Sequence, residues 1–143
     1  MKNVIFILLL SFLFTNQNIA VPSFDGDQAF EYIKKQCEFG PRYPGSLGHQ
    51  QLSDYLYNYF NSNADSVLIF RDSISHPFDK QKIEITNFLI QHNLSSMDRY
   101  LFIAHWDTRD RADKDLDPTK QSVPILGAND GGSGVALLMQ LSN

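Results

Sequence analysis

The feature that most constrains the fold of this chain is the unbroken apolar run YLFIA at positions 100–104. A strand covered on one face alternates apolar and polar residues, whereas a strand buried on both faces is apolar throughout. The run therefore predicts a strand inside a sheet that has other layers of structure on both sides. Such a sheet is typical of the α/β class, in which helices cover its two faces.

Two amphipathic helices are predicted before the sheet. The first covers 27–38, with Asp25 or Asp27 at its N-cap, and the second covers 47–60, with Ser46 at its N-cap. Apolar residues at helical spacing form the predicted inner faces: Phe30, Ile33 and Cys37 in the first helix, and Leu52, Tyr55, Leu56, Tyr59 and Phe60 in the second.

The rest of the chain extends the α/β pattern. A loop is predicted at 73–79, a turn at 93–98 and a final helix at 133–141. The order of helices and strands predicts an open mixed β-sheet sandwiched by helices. The strands predicted for this sheet are 66–71, 82–92 and 100–104.

The N-terminus has the pattern of an export signal. Lys2 precedes an apolar stretch at 4–14, and a polar segment then leads to Ala20. We predict a signal peptide at 1–20, cleaved after Ala20, and an exported protein that is periplasmic or extracellular. An uncleaved interfacial anchor is the alternative. The apolar stretch is shorter than the ~20 residues that cross a bilayer.

Charge and cysteine content narrow the possible functions. The 143-residue chain has a net charge of −4, which argues against a general nucleic-acid or anionic-membrane binder because both need a basic surface. Its single cysteine, Cys37, has no partner for a disulfide within the chain. We expect Cys37 to pack as a small apolar residue, so that stability comes from a core.

His105 and Asp107 directly follow the apolar run at 100–104. Ligands of open α/β sheets bind at the carboxyl ends of the strands, and residues at i and i+2 of an extended segment point to one side. A carboxylate beside an imidazole can fix the orientation of a metal-binding histidine. His105 as a structural histidine is the alternative, since this two-residue pattern is common.

A second unusual segment is GANDGGSG at 127–134, where Asp130 stands in a glycine-rich turn before a helix. Glycines permit positive φ angles and close approach of the backbone to a ligand. The segment lacks the Lys-Ser/Thr pair of a phosphate-binding P-loop. Asp130 is therefore a candidate metal ligand, with a plain turn residue or helix N-cap as the alternative.

The motifs FGPRYPGSLGH, HWDTR with ADKDLDP, and PILGANDGGSGVALLMQL occur in one order between about Phe39 and Leu141. Together they resemble the zinc exopeptidases of family M28, and within that family the bacterial glutaminyl-peptide cyclotransferases. The resemblance implies the zinc-exopeptidase-like, phosphorylase/hydrolase-type α/β fold. It implies that Asp130 and His105 are metal residues and that Asp107 is the catalytic-site acid that orients His105.

The resemblance also implies a reaction. The expected activity is zinc-dependent cyclisation of the N-terminal glutamine of a peptide or protein to pyroglutamate, with release of ammonia and one Zn²⁺ per site. In that case His105 is a residue of the pocket wall. The alternative is a metallo-aminopeptidase with two Zn²⁺ ions, in which Asp130 bridges the ions and His105 binds the second. A non-catalytic homologue is the third possibility.

The remaining parts of such a site are expected beyond Asn143: a glutamate base, a further acidic ligand and a late histidine. We therefore expect residues 21–143 to be the N-terminal part of a truncated zinc-exopeptidase-like domain, inactive and poorly folded by itself, and the full-length protein to be a monomer. The acids between Asp110 and Asp117 are expected to form a solvated loop in which Arg109 pairs with one of them. Trp106 is expected to line the pocket or to pack in the core, and the other histidines are expected to be structural: His49, His76 and His92.

Overall fold

The computed structural model describes residues 21–76 and 80–143. The predicted signal peptide at 1–20 and positions 77–79 of the predicted loop lie outside the described residues. Within the described part, no helix is long and apolar enough to cross a membrane. The elements follow in the order α1 (Gly26–Glu38), α2 (Leu47–Asn63), β1 (Ser66–Ser75), β2 (Lys82–Gln91) and α3 (Gly132–Leu141).

Side-chain caps begin the first two helices, as predicted. The Asp25 carboxylate accepts a hydrogen bond from the amide of Gln28 at 2.9 Å, and the Ser46 hydroxyl accepts one from the amide of His49 at 3.1 Å. These oxygens satisfy amides that have no partner inside the helix. The predictions of α1, α2 and α3 are confirmed, with α2 extending three residues beyond its predicted end at position 60.

The predicted inner face of α1 is partly wrong. Phe30 is 59% exposed, whereas Ala29 and Gln36 are buried. The helix is turned so that the Gln36 amide donates a hydrogen bond to the carbonyl of Gly132 at 2.9 Å. The buried N–H group of the Gln36 amide thereby has an acceptor, without which its burial would be costly. Cys37 is half-buried and free.

The two strands form an antiparallel hairpin in which Ser66 faces Gln91 and Ser75 faces Lys82. β1 is longer than predicted, so the predicted loop at 73–79 is wrong for its first three positions. The extension follows from β2, which offers a backbone partner in register to every residue of β1. The described sheet contains this pair of strands and no other.

The predicted buried strand at 100–104 is not formed in this structure. Tyr100 and Ile103 are 85% and 82% exposed, and the segment has no strand beside it among the described residues. A strand needs a neighbour for its backbone hydrogen bonds, whatever the apolar character of its side chains. Among the described residues, the structure therefore contains only the antiparallel part of the predicted mixed sheet.

The apolar core lies between α2, α3 and the segment that follows position 104. One of its side chains is Trp106, whose indole N–H donates a hydrogen bond to the carbonyl of Thr86 in β2 at 3.0 Å. The same ring stacks on His49, with 4.1 Å between the ring centroids. Trp106 thus packs in the core and fastens the residues on either side of it. The buried apolar members of this cluster are Leu52, Leu56, Phe60, Trp106, Val135 and Met139.

The charged segment after Asp107 forms a loop that is closed at its base. The amide of Ala112 donates to the carbonyl of Val123 at 2.9 Å, and that of Ile125 donates to the carbonyl of Arg109 at 3.1 Å. Arg109 forms an ion pair with Asp113, as predicted. The loop therefore leaves and re-enters the fold at the edge of the region that contains His105.

Substitution of Leu52 tests the position of the core. Leu52 is fully buried in α2, so Leu52→Ala is expected to lower the free energy of unfolding by about 2–5 kcal/mol. Leu47→Ala is the matched control on the same helix, where the side chain is 68% exposed, and it is expected to change that free energy by less than about 0.5 kcal/mol. Urea unfolding of both variants measures the difference. Equal effects would show that α2 does not bury this face.

Candidate metal site

His105 and Asp130 face each other, although 25 positions separate them in the chain. The distance from Nε2 of His105 to Oδ1 of Asp130 is 3.0 Å. Both side chains are accessible to solvent, at 56% for His105 and 73% for Asp130. The structure thus brings together the histidine and the acid that the sequence indicated as candidate metal residues.

Asp107 stands on the opposite side of the His105 ring. Nδ1 of His105 lies 3.1 Å from the main-chain carbonyl oxygen of Asp107 and 3.7 Å from its carboxylate. Only the first distance is that of a hydrogen bond. In this structure the backbone of Asp107, rather than its carboxylate, holds the ring.

This hydrogen bond determines the chemistry at the other ring nitrogen. When Nδ1–H donates to the carbonyl of Asp107, a neutral His105 presents the lone pair of Nε2 towards the Asp130 carboxylate. Two acceptor atoms at 3.0 Å need a cation or a shared proton between them. The pair therefore suits either an imidazolium–carboxylate contact or coordination of one metal ion.

Nε2 of His105 and the carboxylate of Asp130 are both of the types that bind zinc, because zinc binds imidazole nitrogen and carboxylate oxygen at about 2.0–2.2 Å. Their separation is short enough for one ion to contact both atoms. Catalytic zinc ordinarily has three protein ligands. No group of three or more histidine, cysteine, aspartate or glutamate side chains is arranged around a common point in residues 21–76 and 80–143. His105 and Asp130 thus fit zinc in donor type, and they number one fewer than the usual set of protein ligands.

Glycines allow the loop to bring Asp130 so close to the imidazole. Gly131 has a φ of +88°, and a Cβ atom at this position would lie 3.0 Å from Cε1 of His105. Gly131 is also the N-cap of α3, and no side chain caps this helix. Asp130 therefore lies in the turn before the helix and is not its N-cap, and its carboxylate faces His105.

An open cleft of about 600 Å³ lies beside this pair and is lined by Ile103, His105 and the loop from Asn129 to Gly131. A smaller cavity of about 50 Å³ is lined by Asp107, Thr108 and Gly127. His105 and Asp130 line both spaces. The two candidate ligands consequently stand where a molecule in the larger cleft would meet them.

Three buried polar residues near the site were not identified from the sequence. Arg42 and Gln36 are fully buried, and Thr108 is 5% exposed. Burial lowers the pKa of the Arg42 guanidinium, while the neighbouring Cys37 and Asp107 oppose the shift. The only sequence signal was the position of Arg42 between two prolines in a tight turn, where a charged side chain has few directions in which to extend.

The other histidines have partners other than Asp130. Burial lowers the pKa of His49, whereas the carboxylates of Asp107 and Glu84 act in the opposite direction. Nε2 of His92 lies 3.0 Å from the hydroxyl of Ser142. His76 lies 3.5 Å from the carboxylate of Asp110, at the base of the charged loop.

The comparisons with known proteins agree with this arrangement. The model of peptidase family M28 matches residues 87–143, which include His105, Asp107 and Asp130. A search of curated proteins found no match. Solved structures similar to the chain share the zinc-exopeptidase-like fold, so the predicted α/β class is confirmed, and residues 87–143 carry the match to peptidase family M28.

Three of these structures show the range of the similarity. The glutaminyl cyclase of Tannerella forsythia is 35% identical with a TM-score of 0.80, covering 85% of this chain and 41% of its own. A leucine aminopeptidase precursor from Bacteroides thetaiotaomicron is 36% identical with a TM-score of 0.81, covering 85% and 42%. A Zn-dependent exopeptidase from Parabacteroides distasonis is 36% identical with a TM-score of 0.81, covering 86% and 42%. The chain thus spans about two fifths of the length of each of them.

Substitution of Gly131 tests the close contact with His105. Gly131→Ala combines a strained positive φ with a Cβ that would crowd the imidazole, so it is expected to destabilise the protein by about 1–3 kcal/mol and to shift the ring resonances of His105. Gly45→Ala is the control, because Gly45 has a φ of +90° but nothing within 4 Å of the added Cβ. Unfolding and NMR measurements compare the variants. Unperturbed His105 resonances in Gly131→Ala would refute the contact.

The lowered pKa of His49 predicts a pH dependence of stability. The unfolded chain binds a proton at His49 near pH 6.5, whereas the folded protein binds it only at lower pH. Stability is therefore expected to fall as the pH decreases below 6.5. His49→Phe keeps an aromatic ring against Trp106 and should lose less stability between pH 7 and pH 5. Parallel losses in the two proteins, measured by urea unfolding, would contradict this origin.

Proposed function

We propose that the protein, in its full-length form, is a zinc-dependent glutaminyl-peptide cyclotransferase. Its substrate would be a peptide or protein with N-terminal glutamine, and its products would be N-terminal pyroglutamate and ammonia. The observation that carries the proposal is the His105–Asp130 pair, 3.0 Å apart at the cleft, in a chain that matches the M28 family model over residues 87–143 and is 35% identical to a glutaminyl cyclase. We further propose that the protein is exported and monomeric.

In this proposal Asp130 holds the metal through its carboxylate, and His105 binds it or forms the wall beside it. Bound zinc supplies Lewis acidity towards the side-chain amide carbonyl of the substrate glutamine. The carbonyl of Asp107 keeps the His105 ring aligned by accepting the Nδ1 proton. The glycine loop keeps the Asp130 carboxylate on the cleft side of that ring.

The reaction also needs a base for the α-amino group of the substrate. The three glutamates of the chain form ion pairs elsewhere: Glu31 with Lys34, Glu38 with Lys35 and Glu84 with Arg71. We therefore propose that the base and the remaining zinc ligands belong to a part of the full-length protein outside these 143 residues, since the chain spans about two fifths of its solved relatives.

The second candidate is a metallo-aminopeptidase that hydrolyses a peptide bond with two metal ions. The approach of His105 to Asp130 is equally compatible with it, because both side chains would hold metal in such a site. A leucine aminopeptidase precursor and a Zn-dependent exopeptidase are as similar to the chain as the cyclase is. The two reactions differ in product: ammonia for the cyclase, and a free amino acid for the aminopeptidase.

The full-length protein tests both candidates in one experiment. Wild type is expected to contain one zinc per molecule and to release ammonia from a glutaminyl peptide. Asp130→Asn should lose the zinc and the activity, because a neutral amide is a much weaker ligand than a carboxylate. Asp98→Asn makes the same chemical change at an exposed residue and should alter neither.

Each result has a clear reading. Release of a free amino acid with two zinc ions per molecule would replace the cyclase by the aminopeptidase. Unchanged zinc content in Asp130→Asn would refute the assignment of Asp130 as a metal ligand in either reaction.

A further inference from the structure

The guanidinium group of Arg42 closes the loop that contains Asp130. Its Nη1 donates a hydrogen bond to the carbonyl of Leu126 at 2.8 Å, and its Nη2 donates to that of Gly127 at 2.9 Å. The carbonyl of Gly127 also accepts the amide of Gly132 at 3.1 Å. Both ends of the loop thus meet at one carbonyl oxygen, and Arg42 binds that oxygen.

The main chain of Arg42 is bonded to the segment that contains His105. Its amide donates to the hydroxyl of Thr108 at 2.8 Å, and its carbonyl accepts the amide of Thr108 at 3.3 Å. Thr108 directly follows Asp107, whose carbonyl holds the His105 ring. A single residue is therefore bonded to both halves of the candidate metal site.

The carbonyls around Arg42 suit the two Nη groups of an arginine. The side chain is fully buried, and its hydrogen-bond acceptors also include the carbonyls of Gln36 at 3.3 Å and Gly40 at 3.4 Å. A planar guanidinium donates in several fixed directions at once, whereas the ammonium of lysine is one compact charge at the end of a flexible chain. Replacement by lysine would keep the charge and lose the simultaneous bonds.

We propose that Arg42 is a positioning residue that sets the separation of His105 and Asp130. Its backbone fixes Thr108, in the segment after His105. Its side chain fixes the carbonyls of Leu126 and Gly127, where the loop that contains Asp130 begins, and we call this point the neck of the loop. Arg42 touches neither candidate ligand and acts through the main chain of both segments. The consequence for metal binding rests on the proposed function, whereas the consequence for the loop does not.

The test combines hydrogen exchange with zinc titration of the full-length protein. In metal-free protein, Arg42→Lys is expected to speed amide exchange at Gly132 and Ser133 by on the order of tenfold or more, because the neck is released. In zinc titrations at a temperature where each variant is folded, the same substitution is expected to weaken zinc binding ~10- to 100-fold. Leu56→Ala is the control, since it creates a cavity in the apolar core and leaves the neck intact.

Exchange at Gly132 and Ser133 that is no faster in Arg42→Lys than in Leu56→Ala would overturn the proposal. So would full zinc affinity in Arg42→Lys when the wild type binds zinc, because the site would then be set without Arg42. If Arg42→Lys does not fold, Thr108→Val removes the hydroxyl that accepts the Arg42 amide and is judged by the same measurements. Thr108→Ser restores that hydroxyl and should recover slow exchange.

The two proposals fail in different ways. A wild-type protein that binds no zinc would refute the proposed function, and the exchange rates in metal-free protein would still decide the role of Arg42. Zinc binding that is lost in Asp130→Asn but unaffected in Arg42→Lys would refute the positioning role alone.

Discussion

The buried guanidinium of Arg42 is the interaction on which the arrangement of this chain depends most. Removing a cation from water costs several kcal/mol, and the cost is recovered only when its protons meet well-placed acceptors. Here the two Nη groups donate to carbonyls of α1, of the following turn and of the start of the glycine-rich loop, which are up to 85 positions away in the chain. The guanidinium is stable in this position only when those distant segments are assembled together, so its burial couples them.

The packing of the apolar core also fixes the backbone beside the candidate metal site. Trp106 lies between His105 and Asp107 in the chain and belongs to the apolar cluster of α2 and α3. Its stacking on His49 and its hydrogen bond to β2 hold it from two sides. The exposed imidazole is thus next in the chain to a buried side chain that is held from two sides. A site built on an anchored backbone needs little reorganisation to bind its ligand.

The chemistry of the site follows from the groups that face the two ring nitrogens of His105. The carbonyl of Asp107 uses the proton on Nδ1 of His105, which leaves Nε2 to face Asp130 across 3.0 Å. Gly131 leaves no side chain between the two groups. The site therefore presents a nitrogen and an oxygen donor at the edge of an open cleft. That donor pair, in a segment that matches the M28 family model, is the basis of the proposed zinc chemistry.

The sequence by itself determined the features that depend on neighbouring residues. Ser46 and Asp25 indicated where helices begin, because an N-cap oxygen bonds amides only three positions away. The glycines around Asp130 indicated a loop that approaches another group closely, because only glycine adopts such φ angles without strain. His105 and Asp130 were indicated as candidate ligands by their residue types and by their places beside a predicted strand end and a helix start.

Only the tertiary structure decided which groups meet. Gln36 rather than Phe30 faces inward because the carbonyl of Gly132, 96 positions away, accepts its amide proton. The apolar run at 100–104 forms no strand because a strand requires a partner, and no property of the run itself provides one. Arg42 was missed for the same reason, since its acceptors lie in segments that are distant in the chain. Local propensity is set by residues within one or two turns, whereas the burial of a polar group is settled by partners that only the folded chain brings within hydrogen-bond distance.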